Sequence, residues 1–246
     1  MTTVDHPVVH PVLRLEAVSA ERPSGRGPVR VVDTVSLSVA AGELVALMGP
    51  SGSGKTSVLH LACGLLDPGA SDRAPGLVAL DGTSMDPADR VAWAAARRRT
   101  VGVVHQRLDL LAGLDVLDNV ALPLLLDGRR LRAAHREART ALDHLGIGAL
   151  APARPDELSV GEQQLVAIAR AVVGERRLVL ADEPTAALDT VSAERVVGVL
   201  ADLAAAGAAV LMATHDSRLG SWADRVLYLR DGSLEGSPVL GARSMS

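Results

Sequence analysis

The chain has 246 residues, 25 basic against 29 acidic side chains and a formal net charge of −4. With 48% apolar and 22% charged residues it can bury a sizeable core, which excludes global disorder, and its mild acidity argues against a nucleic-acid binder. One cysteine, Cys63, excludes a disulfide framework, no apolar stretch reaches the ~18 residues of a membrane helix, and the start MTTVDHPVVHPVLRLE lacks a secretion signal, so a cytoplasmic protein is expected.

A first strand is expected over Leu13–Val18. Val35, Leu37 and Val39 alternate with Ser36 and Ser38, the period of a strand with one buried face. The apolar run Leu44–Met48 ends at Gly49 and reads as a central strand covered on both sides. A helix follows over Ser57–Leu66, then a strand over Leu77–Leu80 that turns at Asp81-Gly82. Asp86-Pro87 opens an Ala- and Arg-rich helix, with proline suited to the first turn. After a strand at Val101–Val104, residues Arg107 to Leu158 hold helical patterns and no strand; among them Leu131–Leu145 is amphipathic and stops at Gly146. A helix over Gly161–Val173 stops at Gly174, and Leu178–Ala181 is a buried strand. Thr190 is placed to cap a helix running to Ala206. Strands over Ala209–Ala213 and Arg225–Arg230 follow, the latter opening a hairpin at Asp231-Gly232, and the Gly/Ser-rich segment after Glu235 is expected to be loose. Strands alternating with helices predict an α/β fold with a largely parallel sheet.

Two oddities of composition sharpen the reading. Aromatics are nearly absent: there is no Phe, and only Trp93, Trp222 and Tyr228. Lys55 is the single lysine, the other 24 basic residues being arginine. It stands in Gly49-Pro50-Ser51-Gly52-Ser53-Gly54-Lys55-Thr56, between a strand and a helix that begins near Ser57. This is GxxxxGK[ST] in its required context. Glycines let successive N–H groups turn inward and cradle phosphate at a helix N-terminus. A compact ammonium suits the β/γ-phosphates where a planar guanidinium does not, and the Thr56 hydroxyl suits Mg²⁺. Asp182 and Glu183 end the buried strand Leu178–Ala181; Asp182 is expected to hold Mg²⁺ and Glu183 to orient or deprotonate an attacking water.

Leu158-Ser159-Val160-Gly161-Glu162-Gln163-Gln164, running into Val166–Ala171, resembles the signature segment of ABC-type ATPases. Gln106, Ala187-Leu188-Asp189 and His215 stand where that family's Q-loop glutamine, D-loop and switch histidine fall in order. The resemblance covers about residues 12 to 235. It implies a single P-loop nucleotide-binding domain of RecA-like α/β fold, with an antiparallel β subdomain and a helical insertion at about 107–160. It further implies ATP and Mg²⁺ as ligands and ATP hydrolysis as the activity. Two ATPs would be sandwiched between two such subunits, a homodimer being favoured over a heterodimer. Ser159 and the Gly161 amide would touch the partner's phosphate, His215 the phosphate in cis, and Gln106 would link the metal to the helical insertion. An integral-membrane permease would ride on the motion, placing the protein on the inner face of the membrane.

Leu110-Leu111, Asp118–Leu124 and Ala223–Val226 are similar to the MacB, LolD and FtsE group, which implies export of antibiotics, peptides or lipoproteins, or alternatively an FtsE-like regulatory role. A soluble cassette of translation or repair is disfavoured, because the Gln106–Leu158 stretch is too short and too interrupted by Pro and Gly for a long coiled coil. The chain departs from the family at Val160 and Glu162, where LSGGQ is usual, and at Leu165, which replaces the arginine usually found after the glutamines. Ser159-x-x-Glu162 is also a capping box. The family's base-stacking aromatic is missing, and Arg22 is the candidate in its place, since a guanidinium plane can stack on a base.

Overall fold

The computed structural model describes residues 11–25, 27–68 and 76–240. Among them, strands form two sheets. The first is antiparallel: β1 (Leu13–Ser24) lies between β2 (Gly27–Val39) and β4 (Leu77–Leu80), and β5 (Thr83–Ser84) pairs the far side of β4. The second is mostly parallel, with β3 (Leu44–Met48) flanked by β8 (Ala209–Thr214) and β9 (Arg225–Arg230), then β7 (Leu178–Asp182) and β6 (Val101–Val104) beyond β8. An antiparallel β10 (Ser233–Leu240) closes the β9 edge.

The apolar runs of β3, β7 and β8 are explained by burial on two faces. Leu44, Ala46 and Met48 face one core, Val45 and Leu47 the other. The first core is covered by α3 (Val116–Leu126), α4 (Leu131–His144), α5 (Val160–Val172) and α6 (Thr190–Ala205); the second by α1 (Lys55–Ala62), Trp93 of α2 (Arg90–Arg99) and the antiparallel sheet. One β-period divides the sheet between a helical layer and a β layer.

Parallel pairing sets Met48 against Thr214, Asp182 against Ala213 and Val104 against Ala181. The loops after β3, β6, β7 and β8 therefore leave the sheet at one edge, where open α/β sheets place their ligands. Gly102 lets β6 approach α5: a Cβ there would lie 2.0 Å from the Ala171 carbonyl oxygen. Gly102→Ala is expected to destabilise the fold by about 1–3 kcal/mol, the usual cost of overpacking, measured by urea unfolding.

Four expectations are corrected. The first helix starts at Lys55, not Ser57, because Gly54 at φ 106° turns the chain directly into it. Asp189, not Thr190, caps α6, accepting from the Ser192 N–H at 3.0 Å. The Asp86-Pro87 helix starts only at Arg90, behind an Asp89 cap. The segment after Glu235 is strand as far as Leu240, pairing Val239 with Val226 and Leu240 with Arg225; residues 241–246 lie outside the described residues.

Candidate functional site

The loop after β3 is shaped by backbone crowding. A Cβ on Gly49 would meet the Leu229 carbonyl oxygen at 2.2 Å, and one on Gly54 the Val31 oxygen at 2.3 Å. These glycines are demanded by the packing of the loop under β9 and β2. Lys55, 6% exposed, folds back so that its ammonium donates to the Gly49 oxygen at 2.8 Å and the Pro50 oxygen at 3.1 Å. Those two acceptors fix the charge inside the loop it closes.

Asp182 and Glu183 leave β7 opposite this loop. Thr56 Oγ1 donates to Asp182 Oδ1 at 3.1 Å, joining the two expected metal ligands. Burial pushes the Asp182 carboxyl above the ordinary range; the Thr56 hydrogen bond pulls it back, Glu183 adds to the rise, and His60 and Lys55 oppose it. Such a carboxylate gains from a nearby cation. Glu183 sits at φ 46°, in the left-handed region that side-chain-bearing residues seldom occupy. Its N–H is held by the Ala213 oxygen at 2.9 Å. The turn sends the carboxylate between two partners: Lys55 Nζ lies 3.3 Å from Oε1 and His215 Nδ1 lies 2.8 Å from Oε2.

A cleft of about 340 Å³ opens over this cluster, lined by Ser51, Gly52, Gly54, Lys55, Thr56 and Ser57 of the loop, with Arg22, Val31, Gln106 and Glu183 around them. Ser53 Oγ is buried without a protein hydrogen-bond partner. A fixed ammonium, the loop's backbone and a Thr–Asp pair make a set that fits phosphate oxygens together with a hard divalent cation. Gln106 is exposed at the rim.

Ser159 and Gly161 are not brought to this cleft. They open α5, where the capping box forms: the Glu162 N–H donates to Ser159 Oγ at 3.3 Å and the Ser159 N–H donates to Glu162 Oε2 at 2.9 Å. The Ser159 hydroxyl also donates to Glu162 Oε2 at 2.7 Å, and it and the Ser159 N–H together hold the Glu162 carboxyl below its usual range. Val160 beside them is 49% exposed.

Two residues that serve this edge escape sequence reasoning. Arg170 on α5 donates to the Asp109 and Leu108 carbonyl oxygens at 2.8 and 2.7 Å, tying down the segment after Gln106. His60 on α1 lies with Nδ1 3.1 Å from Arg22 Nη2. Each link spans tens of residues, and no local pattern announces it.

Comparison with known proteins identifies the family. The family model described as ABC transporter matches residues 32–186. The chain is 40% identical over 232 residues to the macrolide export ATP-binding/permease protein MacB 1/2 of Paracoccus denitrificans, covering 94% of this chain and 34% of that protein. It thus spans about a third of that relative's length. It is also 40% identical over 228 residues to the lipoprotein-releasing system ATP-binding protein LolD of Hyphomonas neptunium, covering 92% of this chain and 98% of the other. Among solved structures, the dimeric MJ0796 cassette, a bacterial ABC transporter cassette, matches with a TM-score of 0.83 at 31% identity, covering 94% of this chain and 99% of that one. The same cassette has been solved as a dimer in a post-hydrolysis state bound to ADP and Pi, with the same TM-score and coverage.

Proposed function

The chain belongs to the ABC transporter family and is an ATP-binding ATPase cassette of it, and from that premise we propose that it pairs with a second copy of itself to drive a separate integral-membrane permease. The observation that carries the chemistry is the convergence of Lys55, Thr56, Asp182, Glu183 and His215 on one edge of the parallel sheet.

The β- and γ-phosphates would lie in the loop Gly49 to Thr56, with Lys55 as the side-chain donor and Ser57 in the first turn of α1. Phosphate then replaces Glu183 as the partner of the Lys55 ammonium, and the freed carboxylate orients and deprotonates the attacking water. His215, already bonded to Glu183, holds that carboxylate and faces the γ-phosphate. Thr56, Asp182 and Gln106 would hold Mg²⁺, which when bound neutralises charge on the phosphate oxygens. Arg22, on the cleft wall, is the candidate for the base.

Ser159 and Gly161 open α5 outside their own chain's cleft, which supports their meeting the phosphate bound by the opposite subunit. The exposed Val160 beside them fits a surface that becomes covered. No helix among the described residues is long and apolar enough to cross a membrane. The near full-length match to an ATP-binding protein of a lipoprotein-releasing system supports a separate permease and a seat on the cytoplasmic membrane face. Export or extrusion of an antibiotic, peptide or lipoprotein is the proposed task. Relatives named for export and lipoprotein release do not favour the FtsE-like alternative. ATP turnover by the purified chain is expected to require Mg²⁺ and to fall to background in EDTA; equal turnover with and without the metal contradicts the roles given to Thr56 and Asp182.

A further inference from the structure

The walls of the nucleotide cleft divide by chemistry. Ser51, Gly52, the Gly54–Ser57 stretch, Gln106 and Glu183 are suited to phosphates, metal and water. The remaining lining residues are Arg22 of β1 and Val31 of β2, both from the antiparallel sheet. Among the described residues, no aromatic side chain lines the cleft. Whatever part of the ligand lies beyond the phosphates has an arginine and a valine for its wall.

Arg22 is long and only partly covered, and a free arginine loses considerable rotamer entropy when a ligand orders it. Here its guanidinium Nη2 lies 3.1 Å from His60 Nδ1. A guanidinium only donates, so Nδ1 is the acceptor and His60 carries its proton on Nε2. His60 is well placed to be a fixed acceptor. It sits on α1, between the fully buried Leu59 and Leu61, on the helix that begins at Lys55. Burial and the Arg22 charge lower its pKa, with His105 acting the same way and Asp182 opposing, which keeps the ring neutral around pH 7. The contact spans 38 residues and links the antiparallel sheet to the phosphate-loop helix.

Resting on the nucleotide-binding reading above, we infer that His60 is a positioning residue: it holds the Arg22 guanidinium against the nucleoside part of the bound nucleotide. One donor is spent on His60, and the others, with the guanidinium face, stay available to the ligand. The gain is preorganisation, so it appears in affinity and not in the chemical step.

Steady-state ATP hydrolysis by His60→Leu, His60→Asn, Arg22→Ala and the double variant Arg22→Ala/His60→Leu tests this, with inorganic tripolyphosphate as a competing ligand that has no nucleoside. His60→Leu is expected to raise KM for ATP about three- to tenfold, the worth of one net hydrogen bond, with kcat and the Ki of tripolyphosphate unchanged. His60→Asn, which keeps an acceptor, restores most of the loss. The double variant is no worse than Arg22→Ala alone. An unchanged KM in His60→Leu overturns the inference. So does an equal loss with tripolyphosphate, which would put Arg22 on the phosphates, or a fall in kcat that Asn does not rescue, which would make His60 merely structural. Lys55→Ala is the separate control: if it leaves ATP and tripolyphosphate binding intact, the nucleotide site itself is wrongly placed.

Discussion

Glu183→Gln is expected to lower ATP turnover by about 10²–10⁴-fold, the range general acid–base groups contribute, while nucleotide binding survives. The carboxylate is aimed by a left-handed turn at residue 183 and by a 2.8 Å contact to His215 Nδ1. Gln can keep that contact and the turn but cannot take a proton. It also frees Lys55 from the ion pair at 3.3 Å, so affinity for ATP is not reduced. Single-turnover hydrolysis alongside equilibrium binding separates the two effects. Turnover equal to wild type would remove Glu183 as the base.

Lys55→Ala produces the second large effect, in binding. The ammonium is almost completely buried and held by two carbonyl oxygens. Removing it takes the compact cation from the phosphates and leaves Glu183 without its cationic partner. Truncating one member of a buried charge pair costs about 2–5 kcal/mol, so Kd for ATP should rise by at least about 30-fold. Lys55→Arg should rescue little, because a planar fork does not fit between the Gly49 and Pro50 oxygens. Measured affinity within twofold of wild type in Lys55→Arg would contradict that shape argument.

The parts of this site legible in the sequence are those built from neighbours. The phosphate loop is one continuous segment, and its strand and helix announce themselves by composition. Asp182 and Glu183 follow a run too apolar for anything but a central strand. The Ser159–Glu162 box is a three-residue spacing, and the structure forms both of its backbone hydrogen bonds. What failed locally were boundaries. Lys55 enters α1 earlier than expected because Gly54 at φ 106° acts without a side-chain cap. Asp189 outcompetes Thr190 for the cap of α6 because it reaches both the N–H and the hydroxyl of Ser192.

The long β1–β2 hairpin, running to the Ser24–Gly27 pair, was only half visible. Its exposed outer part lacks the alternation that marked Val35 to Val39. Arg22–His60 and Arg170 with the Leu108 and Asp109 oxygens were invisible for another reason. They join elements whose adjacency is decided by the sheet order, which no short window contains. The Gly and Ser content after Glu235 hides a strand, because pairing to β9 satisfies a backbone that composition alone marks as loose.

On the proposed function, ATP draws two copies of this chain together across the surface that carries Ser159, Val160 and Gly161. The mass of Glu183→Gln in solution, with and without Mg·ATP, tests it most directly, because blocked hydrolysis preserves whatever assembly ATP creates. A monomer is expected without nucleotide and a dimer with it. A protein that binds Mg·ATP and remains monomeric at every accessible concentration would contradict it.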